Sequence, residues 1–262
     1  MENGVSFHSV DGIELKGTLR EVQAGETSCI VLCHGLTATR EEDGVFTCLA
    51  EMLSASGLPS FRFDFRGHGE SGGRQEEMTV AGEALDLAAS LDFLCARGYR
   101  RFGVVAASFA GGAASLTVPG RKEVEALVLW NAVVNFTPLF SMMDIVARVF
   151  WGDMEKAVRD RGYAEVGPGK FRMGRAVFGE MKTLNPGGLL AGLKLPVLLV
   201  HGDRDVLVPP ADSLALAGRI PGAVMEIVPG AGHGFHEAVH MEAACRKAAV
   251  FLAGRLSPAK IR

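Results

Sequence analysis

The stretch VVAASFAGGAA, residues 104–114, sets a single serine between an apolar strand and a run of the smallest residues. Val104–Ala106 reads as the end of a strand covered on both faces, and the small residues after Phe109 suit a helix packed closely against it. Ser108, at that strand-to-helix turn, has two readings. It is a helix cap, because a serine oxygen accepts hydrogen bonds from free helix N–H groups, or it is a nucleophile held on a tight turn. The surrounding chain decides between them.

Outward from this stretch the sequence alternates strands with helices. Val5–Val10 and Ile13–Leu19 flank Asp11-Gly12, a hairpin dipeptide, so an antiparallel pair opens the fold. Cys29–Cys33 is a continuous apolar run, and Phe46, Leu49 and Leu53 recur at helical spacing up to a stop at Gly57. Phe61–Phe65 is a further strand, and Leu85, Ala88, Leu91 and Cys95 mark one face of a helix ending at Gly98. After the strand Phe102–Ala106 and the helix beyond Ser108 come strands at Ala126–Trp130 and Val197–Val200. A helix over Ala211–Arg219, a strand at Val224–Val228 and a closing helix from Glu237 to Arg255 complete the order. Such alternation predicts an α/β fold with a mostly parallel, doubly wound sheet. Residues 131–195 are too many for one crossover, which needs roughly 30 residues or fewer. They predict a small helical cap inserted after the sixth strand, with 1–130 and 196–262 forming the core.

Composition narrows the function classes. A chain of 262 residues, 48% hydrophobic, buries a full core in one large domain. A net charge of −3 gives no basic patch for nucleic acid or acidic membranes, and no apolar run approaches a bilayer span. The start, MENGVSFHSV, lacks the pattern of a secretory signal. Five cysteines in apolar surroundings, with no C-x-x-C pair, point to reduced thiols and a cytoplasmic setting.

In parallel sheets, ligands gather at the carboxyl ends of the strands, so the loops leaving those ends are where chemistry is expected. Here they read CHGLTATRE, DFRGHGESGG, AASFAGG, HGDRDVLVPP and PGAGHGFH. Ser108 is followed by Asp203 or Asp205 and then by His233, an order in which a serine, an acid and a histidine make a nucleophilic triad. A neutral hydroxyl needs a base to take its proton, and His233, flanked by Gly232 and Gly234, is placed to supply one. The imidazole in turn needs a carboxylate at its other nitrogen.

The histidine-glycine pair after the third strand, D-x-R-G-H-G-x-S after the fourth, the small-residue turn, HGDRDVLVP and GAGHGF together resemble the α/β-hydrolase superfamily over nearly the whole chain. Within it the layout is most similar to small cap-bearing carboxylesterases such as bacterial cinnamoyl or feruloyl esterases. The resemblance implies catalytic Ser108, Asp205 and His233. Asp205 matches the family's H-G-x-x-D-x-x-V-P, leaving Asp203 as a loop-forming residue. It also implies an oxyanion hole made by the backbone amides of Leu36 and Phe109, and no cofactor. One departure stands out: the family turn is commonly G-x-S-x-G, and here Ala106 and Ala110 replace both glycines.

The implied function is cleavage of carboxylic esters of medium acyl or aryl acids through an acyl-enzyme, with a small-molecule ester as partner. Thioesterase, aminopeptidase-like, acyltransferase and carbon–carbon hydrolase chemistry run on the same triad, and a low-turnover ligand-binding protein fits the same fold. Oligomeric state is left open. Two further motifs carry less. Gly67-His68-Gly69-Glu70-Ser71-Gly72 fits a dinucleotide fingerprint but lies outside a first βαβ unit. His236-Glu237-Ala238-Val239-His240 spells a zinc-protease motif without a third histidine downstream, so no metal is expected. Residues 131–195 hold Met142, Met143, Met154, Met173 and Met181, five of the ten methionines, with Phe136, Phe140, Phe150, Trp151, Phe171 and Phe178. That richness predicts an apolar acyl pocket under the cap. Arg148, Arg159, Arg172 and Arg175 leave room for a carboxylate-bearing substrate.

Overall fold

A computed structural model describes residues 1–23, 25–137 and 154–257. The hairpin around Asp11-Gly12 forms from β1 (Glu2–His8) and β2 (Glu14–Arg20), closed by Gly12 N–H donating to the Ser9 carbonyl at 2.9 Å. The remaining strands of the main sheet are β3 (Ser28–Cys33), β4 (Ser60–Phe63), β5 (Arg101–Ala107), β6 (Val124–Trp130), β9 (Val197–Gly202) and β10 (Val224–Val228). Their order across the eight-stranded sheet is β1-β2-β4-β3-β5-β6-β9-β10, parallel from β4 to β10. The chain steps from β3 to β4 on one side and then returns to lay β5 on the other. The strand order therefore reverses between β3 and β5, and beyond the carboxyl ends of strands at such a point is where parallel sheets bind ligands.

The apolar run of β3 is buried throughout because both faces are covered. Cys29, Val31 and Cys33 face one core, with Leu87, Leu91 and Leu94 of α2 (Val80–Ala96) and the alanines of α3 (Ala110–Thr117). Ile30 and Leu32 face the other, with Phe46, Leu49 and Leu53 of α1 (Val45–Ala55) and the last helix, Ala238–Leu256. All five cysteines are free thiols. Among the described residues no helix is long and apolar enough to cross a membrane.

The expected face of α2 needs correction. Leu85 is 40% exposed, while Glu83, Asp86 and Ser90 are buried beside Leu87, Leu91 and Leu94. Electrostatics rotates the helix: Asp86 accepts two-pronged hydrogen bonds from Arg66 at 2.7 and 3.0 Å, and this pair must lie on the inner side. A count of apolar side chains does not register it.

The inserted segment is mixed rather than wholly helical. Its described part holds α4 (Met154–Arg161), a hairpin of β7 (Tyr163–Val166) and β8 (Phe171–Gly174), α5 (Arg175–Thr183) and a short α6 (Pro186–Leu190). α7 (Pro210–Ala217) and α8 (Ala238–Leu256) come next, in the core. Two contacts dock the segment. The Glu180 carboxylate accepts the Val80 and Ala81 N–H groups at 2.5 and 3.3 Å, satisfying the first turn of α2 with a negative charge at its positive end. Gly174 lies so close to the turn at 75–77 that a Cβ there would sit 1.8 Å from the Glu76 carbonyl oxygen. Gly174→Ala is therefore expected to push the hairpin off the body at about 1–3 kcal/mol. Calorimetry should show Tm lowered by about 2–4 °C for each kcal/mol, and an unchanged Tm would show that this approach is not tight.

Candidate active site

At the carboxyl end of β5 the chain turns sharply into α3, and Ser108 sits on the turn with φ of +49°. A non-glycine residue in the left-handed region costs about 1–3 kcal/mol and persists only where its surroundings impose it. They do so here. Ser108 N–H donates to the Trp130 carbonyl at 2.9 Å, and the Ser108 carbonyl accepts from Val133 N–H at 2.7 Å and Gly111 N–H at 3.1 Å. Ala106 and Ala110 are buried without difficulty, because the closest approaches fall further along. A Cβ on Gly111 would meet the Val133 carbonyl at 2.8 Å, and one on Gly112 would meet Val80 at 2.8 Å. The requirement for no side chain has moved past the usual glycine position.

The structure brings Ser108, Asp205 and His233 together. Ser108 Oγ lies 2.9 Å from His233 Nε2, and His233 Nδ1 lies 2.7 Å from Asp205 Oδ2. With the carboxylate accepting at Nδ1–H, Nε2 is left to accept the serine proton. Asp205 is 5% exposed. Burial alone would raise its pKa, but hydrogen bonds from His201, His233 and the Val208 N–H hold it well below the usual carboxylate range. Asp203, two residues earlier, is exposed and accepts Gly230 N–H at 2.6 Å, pinning the loop that leads to His233. Ser115 lies inside α3 and donates its hydroxyl to the Gly112 carbonyl at 2.7 Å.

Leu36 and Phe109 lie beside Ser108, and no described residue accepts the backbone N–H of either. Gly35 brings the first into place: a Cβ on it would lie 2.9 Å from Ser108 Cβ, so only glycine permits the approach. His34 anchors this loop as a neutral ring. Its Nε2 accepts Phe65 N–H at 3.0 Å, Nδ1–H donates to the Gly35 carbonyl at 2.8 Å, and burial lowers its pKa to about 4. His68 is likewise held neutral by burial, at about 3, and stacks on Phe171 at 4.4 Å. His201 is buried between Ser213 and the Val208 carbonyl. His236 precedes α8 and does not share a helical face with His240. The glycine-rich loop at 67–72 folds back on Asp64, whose carboxylate accepts Glu70 N–H and Arg40 N–H at 3.0 and 2.7 Å.

Met154, Met173 and Met181 are all buried, packed with Phe171 and Phe178 in a cluster that includes Phe109 and has Leu36 at its edge. Met142, Met143, Phe140, Phe150, Trp151 and Arg148 lie outside the described residues. Arg172 stacks on Tyr163 at 5.0 Å, and Arg159 and Arg175 border a cavity of about 480 Å³ between α4 and α5 that is lined by none of Ser108, Asp205 and His233.

The sequence model of the alpha/beta hydrolase family matches residues 30–247. The chain belongs to the alpha/beta hydrolase family. The monoacylglycerol lipase of Mycolicibacterium smegmatis is 26% identical to this hydrolase over 255 residues, covering 87% of this chain and 89% of that one. Est1E from Butyrivibrio proteoclasticus, solved with ferulic acid bound, superimposes on it with a TM-score of 0.79 at 20% identity, covering 97% of this chain and 100% of that one. An esterase of Pyrococcus furiosus, PF2001, gives 0.78 at 22% identity, covering 98% and 92%.

Two further residues beside Ser108 in this alpha/beta hydrolase escape sequence reasoning. Glu42 and Asn131 border the same small cavity as Ser108 and His233. Glu42 belongs to the acidic run Glu41–Asp43, which reads as a solvated helix start, and Asn131 looks like the first residue of a loop. No motif signals either one.

Proposed function

We propose that this chain is a serine hydrolase that cleaves carboxylic esters of medium acyl or aryl acids through an acyl-enzyme. The observation that carries the reading is the unbroken hydrogen-bonded line from Ser108 Oγ through His233 to the buried Asp205 carboxylate, with the serine on a strained turn. His233 Nε2 takes the serine proton as Oγ attacks the ester carbonyl, and Asp205 stabilises the imidazolium that results. The N–H groups of Leu36 and Phe109 receive the oxyanion. His233 then protonates the departing alcohol, and water repeats the sequence on the acyl-serine. Similarity to a lipase, and a fold shared with a protein solved with ferulic acid bound, both favour an ester of an apolar acid.

The inserted segment acts as a cap in this reading. Its apolar cluster reaches Phe109 and Leu36, so an acyl chain leaving the oxyanion hole on that side meets hydrophobic surface. Each methylene that enters such a pocket is expected to add about 1 kcal/mol, roughly fivefold in kcat/KM, until the pocket is full. A p-nitrophenyl ester series from acetyl to dodecanoyl, with aryl acrylates alongside, measures this directly. Equal kcat/KM along the whole series would remove the acyl pocket from the proposal. Labelling by a fluorophosphonate at Ser108 alone tests the nucleophile.

A further inference from the structure

Beside Ser108, on the face of the sheet covered by α1 and α8, is a cavity of about 20 Å³ bordered by Glu42, Val45, Ala107, Trp130, Asn131 and His233. That is room for one water molecule. Two of the bordering residues carry unpartnered polar atoms. Trp130 Nε1 and Asn131 Nδ2 are buried side-chain nitrogens with no hydrogen-bond partner among the described residues, and such groups are costly to leave unpaired. Asn131 is oriented unambiguously, since its Oδ1 accepts Gly202 N–H at 3.0 Å and the amide nitrogen must face the other way. A carboxyl group borders the same cavity. Glu42 Oε2 accepts Gly35 N–H at 2.7 Å, while Oε1 and Ser108 Oγ lie 3.4 and 3.5 Å from one common point, the position a Cβ on Gly35 would take.

The backbone is strained to put that carboxyl there. Glu42 and Asp43 have φ of +45° and +52°, consecutive left-handed residues immediately before Gly44 and α1. An acidic residue at a helix start needs no such conformation, and the strain is maintained at a site where the side chain turns inward. Glu42 keeps part of its surface exposed, yet burial of its carboxyl raises the pKa to about 7, with the Asp43 charge adding to the rise and the Gly35 N–H opposing it. The group stays an acceptor toward Gly35 in either protonation state.

We propose that Glu42, with the N–H groups of Trp130 and Asn131, seats the water molecule that hydrolyses the acyl-enzyme. The inference rests on the acyl-enzyme reading above and adds to it a residue that acts in only one half of the reaction. The seated water donates one hydrogen to Glu42 and the other to His233 Nε2, accepts from a Trp130 or Asn131 N–H, and keeps one lone pair for the acyl carbon. Its oxygen bonds to that carbon as its proton passes to His233 Nε2. The carbon–Oγ bond then breaks, Oγ takes the proton back from the imidazolium, and the carboxylic acid leaves. Acylation needs no water, so Glu42 serves only deacylation in this role. A residue that merely braced the oxyanion loop through Gly35 would serve both halves equally.

Glu42→Gln separates the two roles, because the amide oxygen retains the Gly35 hydrogen bond while the NH₂ group presents a donor where the water needs an acceptor. With p-nitrophenyl butyrate in stopped flow, the variant is expected to show a burst approaching one p-nitrophenol per site, followed by deacylation slowed about 10- to 100-fold. Mass spectrometry should find the butyryl group on Ser108. Added hydroxylamine, which attacks the acyl-enzyme without the seated water, should restore turnover. Trp130→Phe, which removes one donor and keeps an aromatic ring, should slow the same step to a smaller extent. Equal losses in acylation and deacylation, an unchanged deacylation rate, or no rescue by hydroxylamine would each overturn the inference and leave the hydrolase reading standing. A parent chain that hydrolyses no ester in any phase would overturn both.

Discussion

Ser108→Ala is expected to lower kcat for ester hydrolysis on the order of 10⁶-fold while leaving the fold intact. That loss corresponds to about 8 kcal/mol of barrier, far more than the single 2.9 Å hydrogen bond to His233 represents. The reason is chemical: without Oγ there is no covalent intermediate, and the oxyanion donors and His233 have only water to work with. The fold should survive because alanine deletes one oxygen from a partly exposed side chain, whereas the backbone bonds that hold the turn, to Trp130, Val133 and Gly111, do not involve the side chain. Initial rates on a p-nitrophenyl ester, with circular dichroism and Tm as controls for folding, measure the effect. A fluorophosphonate should label the parent at Ser108 and leave the variant unlabelled. Turnover within tenfold of the parent, or labelling at Ser115, would move the nucleophile elsewhere.

The second large effect distinguishes two aspartates that stand two residues apart. Asp205→Asn is expected to cost roughly 10⁴-fold in kcat. The Leu207 and Val208 N–H groups occupy one oxygen at 2.9 Å each, so the loop fixes which way the side chain points, and the other oxygen faces His233 Nδ1. The two backbone donors keep the amide oxygen on their side and leave NH₂ facing His233. The ring must then accept at Nδ1 and carry its proton on Nε2, where it cannot take one from Ser108. Asp203→Asn should cost little, because its exposed side chain accepts one N–H, from Gly230, and an amide oxygen does the same. Parallel kcat measurements on the two variants decide, and a reversed ranking would transfer the acid to Asp203.

Much of this architecture is legible in the chain because each loop at the carboxyl edge of the sheet leaves a strand that could be recognised. The apolar runs at Cys29–Cys33 and Val197–Val200 locate strands covered on both faces, and they lead into His34-Gly35 in one case and the HGDRD loop in the other. The residues less easily read are those whose placement depends on a partner distant in sequence. Arg66 turns α2 so that Asp86 is inside and Leu85 outside, against the apolar pattern. The hairpin Tyr163–Gly174 joins two strands of four residues each, too short for alternation to stand out from the helices beside them.

The succession of strands, the identity of the five edge loops and the order serine, acid, histidine can all be read from the linear chain because they are local properties. A hydrophobic period, a glycine turn and a side-chain type lie within a few residues of one another. Folding in three dimensions was needed to place Asp205 Oδ2 at 2.7 Å from His233, to put the tight packing after Ser108 on Gly111 and Gly112, and to turn the Glu42 carboxyl onto the Gly35 N–H beside Ser108. The first two depend on the pairing of β9 with β10 and of β5 with β6, which joins segments more than twenty residues apart, and the third on left-handed backbone just before α1 that the side-chain pattern does not announce.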